Sequence, residues 1–258
     1  MSKSMFEAPG LMDATLVAYY GKKSDELAEF IRFFQSKISG YLGSAFRPYE
    51  MEQVHGTIIG LEGQHVHGKW LNKNFLEQRQ EERAMDFGQI LGFLRSKNIP
   101  DCNIRVGGFR HYEPSAFTSR GHHPYLRSFS VRGSVAVAMG WPVDENGFPE
   151  TLEQLRRSFQ SVNVLHKYHD VPDAKDNDFF FVLGRVDLTA AGKLQIQEVE
   201  EATRFCLAGI KPFQIPLLME HLSLVFYVDT QLPPSTSRWF RIDDPSLTGD
   251  EMSRLYRI

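Results

Sequence analysis

The sequence predicts an α+β domain built as two halves of related order. Three observations carry that reading. Short β-prone runs alternate with amphipathic helices along the whole chain. The order strand–helix–strand–helix–strand–strand is followed by helix–strand–helix–strand, as in a duplicated unit. No Gly/Ser-rich or Pro-rich linker, low-complexity tract or fixed-period repeat interrupts the chain, so residues 1–258 are read as one pseudo-duplicated domain.

Residues 16–20 (LVAYY) form the first β-prone run, ended by Gly21. A helix over 24–39 follows, with Ser24 as N-cap, Asp25 and Glu26 in the first turn and Gly40 as its stop. Its Leu27, Phe30, Ile31 and Phe34 share one face. Residues 54–61 (VHGTIIGL) read as the second strand. Residues 75–97 read as a long charged helix with Phe87, Ile90, Leu91 and Leu94 inward and 77–83 on its solvated face. Strands are expected over 104–109 and 131–141, and a third helix over 151–162. After a polar loop at 166–178 comes a fully apolar strand at 179–186, then a helix over 195–207. One or two strands within 213–228 precede a polar, Pro-containing tail.

The composition is that of an ordinary globular chain, 42% hydrophobic and 24% charged, with 20 Phe and 9 Tyr available for an aromatic core. A net charge of −3 supplies no broad positive surface for duplex DNA or an anionic membrane, but leaves room for a local phosphate site. Cys102 and Cys206 form no metal-ligand or disulfide pattern, which favours a reducing compartment. The N-terminal residues lack a signal-peptide pattern, and no window approaches the roughly 18 apolar residues of a membrane helix. The cytoplasm is the expected location.

Chemistry concentrates in two tetrads. Alternation along a strand puts His55 and Thr57 on one face and Gly56 and Ile58 on the other. His221 and Ser223 pair in the same way, with Leu222, Leu224 and Phe226 behind them. Two imidazoles on opposite sides of a phosphorus can act as base and acid at neutral pH, and two hydroxyls can donate to its non-bridging oxygens.

His55-Gly56-Thr57-Ile58 and His221-Leu222-Ser223-Leu224 resemble the paired His-x-Thr/Ser-x signature of the two-histidine (2H) phosphoesterase superfamily, which includes cyclic phosphodiesterases and the proteins called 2′-5′ RNA ligases. The resemblance implies a bilobal fold in which two mainly antiparallel sheets flank a central cleft, with helices outside. It also implies a metal-independent, cofactor-free phosphoesterase acting on a small phosphodiester, a 2′,3′-cyclic nucleotide or an RNA end. His55 and His221 would be catalytic, with Thr57 and Ser223 on the substrate. Arg185 could reach a phosphate or end in a surface ion pair. One departure matters. The family's usual second motif strand falls at 179–185, where Phe180 and Val182 occupy the places of histidine and hydroxyl. Either His221 meets His55 by a different route, or the second site has decayed and the cleft only binds nucleotides or RNA.

A rival reading uses the other histidines, His65, His67, His122, His123, His166 and His169, as metal ligands, which requires three or four of them to converge. Gly107-Gly108 lacks the spacing of a phosphate-binding loop. The loops at 112–125 and 166–178 are the expected specificity surface.

Overall fold

The computed structural model describes residues 12–96 and 102–256. Its first half runs β1 (Asp13–Ala18), α1 (Asp25–Leu42), β2 (Phe46–Pro48), β3 (Gly56–Gly60), the hairpin β4 (Gly63–Val66) and β5 (Lys69–Asn72), α2 (Phe87–Arg95) and β6 (Cys102–Val106). Then come α3 (Pro124–Arg127), β7 (Phe129–Arg132), β8 (Val135–Val143), α4 (Thr151–Ser158), β9 (Phe179–Val186), α5 (Leu188–Ala191) and α6 (Lys193–Gly209). The chain closes with β10 (Phe213–Leu217), β11 (Leu222–Tyr227), β12 (Arg238–Arg241) and α7 (Gly249–Leu255).

The α+β class and the antiparallel pairing are as expected. The two expected sheets are, however, joined into one, ordered β10-β6-β8-β9-β3-β1-β11-β12, with β2 on β9 and β7 on β8. Two halves of this sheet, β10-β6-β8-β9 with β2 and β7 on one side and β3-β1-β11-β12 on the other, each draw strands from both parts of the chain, and they meet where β3 and β9 pair, through Gly56 and Phe181. Residues 218–221 connect edge strand β10 to β11, so a sheet of this width must curl to bring those strands within reach of so short a link. The Tyr19 hydroxyl closes the same gap by donating to the Pro216 carbonyl.

Each helix of more than two turns packs its apolar stripe into one large core with one face of the sheet. Ile31, Phe34, Ile38 and Leu42 of α1 meet Ile90, Leu91, Leu94, Leu152, Leu155, Val199 and Leu207 there. The opposite face carries smaller clusters, Val17 with Tyr20, Val225 and Tyr227, and Phe109 with Val137, Met139 and Trp141. That second face is the one free to hold a site.

Several boundaries differ from expectation for physical reasons. Helix α1 runs through Gly40 because Leu42 still continues the buried stripe, and it ends at Gly43, whose φ is +53°. The expected helix over 75–97 is broken; its last residue lies outside the described residues. A single π-helical turn at Phe75–Arg79 stops at Gln80 (φ +55°), the residues that follow carry only an isolated bridge from Ala84 to Leu71, and α2 starts afresh with Asp86 accepting from the Gln89 amide at 2.9 Å. The stretch 77–83 has no apolar residue to bury, so it has no reason to remain helical. The expected strand over 131–141 is instead a hairpin, turning at Gly133 with φ +55° and pairing Arg132 with Val135. His65 and His67 lie at the β4–β5 hairpin, whose His67-Gly68 turn has φ +48° and +80°. The polar tail contains β12 and α7, anchored by buried Leu247, Met252, Leu255 and Tyr256.

At the junction of the halves a Cβ on Gly56 would collide with the Phe179 ring. Gly56→Ala is therefore expected to destabilise the fold by about 1–3 kcal/mol, the usual cost of overpacking. A urea midpoint equal to that of the parent chain would refute this.

Candidate functional site

The site lies where β3 leaves its neighbour. In β1, Leu16 faces Ile59 but Val17 faces Thr57, which leaves Ile58 as an extra, bulged residue. On the far side β3 meets β9 at the single pair Gly56 and Phe181, and the antiparallel register carried one residue either way puts His55 beside Val182 and Thr57 beside Phe180. Beyond that pair the guanidinium of Arg156, a fully buried side chain of α4, takes the place of the ladder. It donates to the carbonyls of Ile58 (2.8 Å), Thr57 (3.1 Å) and Asp176 (2.9 Å).

Arg156 belongs to a buried ionic network that fixes the loop entering β9. The Asp176 carboxylate accepts from His166 Nε2 at 2.8 Å and from Arg120 at 2.9 Å, with Arg156 3.3 Å away. Glu153 accepts from His169 Nε2 and from the Asp176 amide, each at 2.8 Å, and pairs with Arg157. Asp178 accepts from Ser119 (2.6 Å) and Trp141 (2.7 Å) and pairs with Arg127. Burial opposes the charge on Asp176, but the His166 hydrogen bond and the Arg156 charge outweigh it and hold its pKa below the usual value. His166 itself is pushed down to about 4, chiefly by burial. The loops at 112–125 and 166–178 are thus clamped together by ion pairs. Among the described residues no group of three or more His, Cys, Asp or Glu is arranged to hold a metal ion.

His55 is 5% exposed. Its Nδ1 lies 2.6 Å from the Gln53 carbonyl, so Nδ1 carries the proton and donates, leaving the Nε2 lone pair for a ligand. Burial pushes its pKa down to about 4; the Gln53 bond works against that and the charge of Lys23 adds to it. At neutral pH His55 is an acceptor. Lys23, which carried no expectation from the sequence, is almost fully buried and donates to the Gly21 (2.8 Å) and Glu52 (3.1 Å) carbonyls. Burial lowers its own pKa to about 7, with Glu52 partly opposing the shift.

The structure does not bring His221 to His55. Strand β1 stands between β3 and β11, which separates the two motif strands by about 10 Å at roughly 4.8 Å per strand step. His221 Nδ1 is 2.8 Å from the Pro216 carbonyl and its ring stacks on Tyr19, centroids 4.8 Å apart. Tyr19, at φ +63°, belongs to the large core, whereas Tyr20, beside His55, belongs to the small cluster on the other face. His221 thus stacks on a ring of the large core, and His55 lies beside a ring of the small cluster. Ser223 is buried and shares a cross-strand row with Val17 and Thr57. Phe180 and Val182 are half-buried on the His55 face, Phe180 near Tyr168 and beneath the Arg132 guanidinium. Arg185 is exposed and lines a separate cavity with Gln53. Arg156 was legible in one respect, as a cation inside the apolar face that Leu152, Leu155 and Phe159 define.

Removing the guanidinium while keeping an apolar volume, as in Arg156→Met, strands three carbonyls and takes from the Asp176 carboxylate one of its two arginines. A loss of about 3–5 kcal/mol is expected in chemical denaturation, and a loss under 1 kcal/mol would show that the junction is held otherwise. Acid should act in two stages. His55 and His166 bind protons less readily folded than unfolded, so stability falls as pH drops from 6.5 toward about 4, by on the order of 3 kcal/mol for His55 alone. Asp176, depressed below 3.8, adds a further loss only beneath that pH. A melting temperature constant between pH 6.5 and 4.5 would contradict this assignment.

No protein-family model and no curated protein matches the chain. Among solved structures it is similar to TT0787 of Thermus thermophilus, at 14% identity and a TM-score of 0.40 over 89% of this chain and 94% of that one. It is also similar to LigT of Escherichia coli in its apo form, at 11% identity and a TM-score of 0.37 over 90% and 95% of the two chains.

Proposed function

We propose that this chain is a non-hydrolytic binding module for a phosphate-bearing nucleotide or RNA end, held at His55, Thr57 and Lys23. The observation that carries the reading is the pairing at the strand junction, which sets Val182 beside His55 and Phe180 beside Thr57. Hydrolysis of a phosphodiester by paired imidazoles needs one base and one acid on opposite sides of the phosphorus. His55, neutral at physiological pH, supports an accepting role only, and neither phenylalanine nor valine can supply the missing proton. His221, stacked on Tyr19, is poorly placed to do so.

What remains suits recognition. The His55 Nε2 would accept from a ribose hydroxyl, while the Thr57 hydroxyl and the Lys23 ammonium would face the phosphoryl oxygens. Phe180 offers a ring on the same face for base stacking, a contact worth about 1–3 kcal/mol per base. No helix among the described residues is long and apolar enough to cross a membrane, so a lipid-embedded helix has no part in this reading.

The test is a binding and turnover assay on purified protein with 2′,3′-cyclic AMP in the presence of EDTA. Saturable binding without hydrolysis, weakened at least tenfold by His55→Ala, is expected. Hydrolysis abolished by His55→Ala would overturn the proposal in favour of an enzyme, and absence of binding would overturn it outright.

A further inference from the structure

Beside the His55 cleft the structure carries a feature that the fold does not need. Strand β2 pairs with β9 so that Arg47 stands directly opposite Arg185. Like charges in that relation destabilise a sheet, and the usual relief is a neighbouring carboxylate. None lies within ion-pair distance of either guanidinium among the described residues. The Arg185 side chain makes a single long contact, 3.4 Å to the Ser134 hydroxyl. Both arginines are exposed and line a cavity of about 750 Å³, together with Tyr49, Gln53, Ser134 and Gln231. Glu50 and Asp187 also border it, but Asp187 Oδ1 already accepts from the Thr189 and Ala190 amides. Gln53 links the cavity to the histidine, because its carbonyl holds His55 Nδ1 while its side-chain amide donates to Gln231.

We propose that Arg47 and Arg185 form a clamp for a second phosphoryl group, so that the ligand of this cleft carries two. A dianion between the guanidiniums would convert a repulsive cross-strand pair into two charge-assisted, fork-shaped contacts. A bulge between Val182 and Gly184 returns Arg185 to the face of Val182, the neighbour of His55, and the span matches the two residues from Val137 to Val135 opposite, about 7 Å at roughly 3.3 Å per residue. A nucleotide with a phosphate at each end of its ribose spans that length. The substrate class is therefore a 5′-phosphorylated nucleotide or short RNA whose other end also carries phosphate. The assignment of the first phosphate to His55 rests on the function proposed above, whereas the clamp stands on its own residues.

The experiment compares 2′,3′-cyclic AMP with its 5′-phosphorylated form by calorimetric titration, using the parent chain and Arg47→Thr/Arg185→Thr. The 5′-phosphate is expected to tighten binding by tenfold or more at low salt, and the double variant to erase that ratio. Equal affinity for the two ligands in the parent chain, or a ratio that survives in the double variant, would overturn the clamp. Inorganic pyrophosphate separates the two proposals. If it binds the parent and the His55→Ala chain alike but not the double variant, the clamp holds even where the cyclic nucleotide fails to bind. If pyrophosphate does not bind the parent, the clamp is wrong whatever the nucleotide does. The double variant without ligand should melt at or above the parent temperature, since the repulsion it relieves outweighs the one long, exposed Arg185–Ser134 hydrogen bond it loses; a lower melting temperature would show the pair to be structural.

Discussion

A buried cation bound to main-chain oxygens organises this molecule. The Arg156 guanidinium takes two carbonyls from β3 and one from the residue three places before β9, so the strands of the two halves are joined by a side chain where their own ladder stops. A fully buried guanidinium is expensive unless every donor is matched, and here the carbonyls, together with Asp176, do the matching. The β3 bulge at Ile58 follows from the same constraint. A regular strand would spend those carbonyls on ladder bonds, and the bulge turns them toward α4. Because the arginine needs the aspartate and the aspartate needs His166, the loop entering β9 is tied to the strand junction by buried hydrogen bonds and ion pairs.

That arrangement decides what the cleft can do. It sets Phe180 and Val182 beside Thr57 and His55, with register that a shift of one residue would destroy by turning every side chain to the opposite face. The same register buries Phe179 and Phe181 in the large core, with the Phe179 ring over the space that Gly56 leaves empty. One strand thus shows phenylalanine to both faces, sealing the core on one side and lying beside Thr57 on the other. The electrostatics agree with a recognising rather than a proton-shuttling cleft. His55 is held neutral by burial and fixed in one tautomer by Gln53, while Lys23 nearby, lowered to about 7 by burial, is partly protonated at neutral pH.

Much of the architecture is legible in the residues. Apolar runs of two periods locate most of the strands and helices, and Ser24 marks the start of α1. The differences are local and physical. Composition suggests a helix across 77–83, but charged side chains with nothing to bury cannot hold one, and the Asp86 cap is the better signal. A Gly-Ser turn inside an apolar stretch reads as continuous strand, because valine and alanine on either side mask it. The tail looks polar, yet its Ile242, Leu247, Met252, Leu255 and Tyr256 are buried.

Read alone, the residues specify the fold class, the His55-x-Thr57 pair on one face of a strand, and the presence of Phe180 and Val182 in the strand that would meet it. They do not choose between the two places for a second histidine, because alternation states which side chains share a face but not which strands are neighbours. The three-dimensional pairing settles the order β9-β3-β1-β11, which sets Phe180 next to Thr57 and leaves β1 between His55 and His221. The same long-range pairing puts Arg47 opposite Arg185, residues far apart in the chain. Strand order depends on how the halves bury their helices against a common core, and that balance is summed over the whole chain rather than written in any one segment of it.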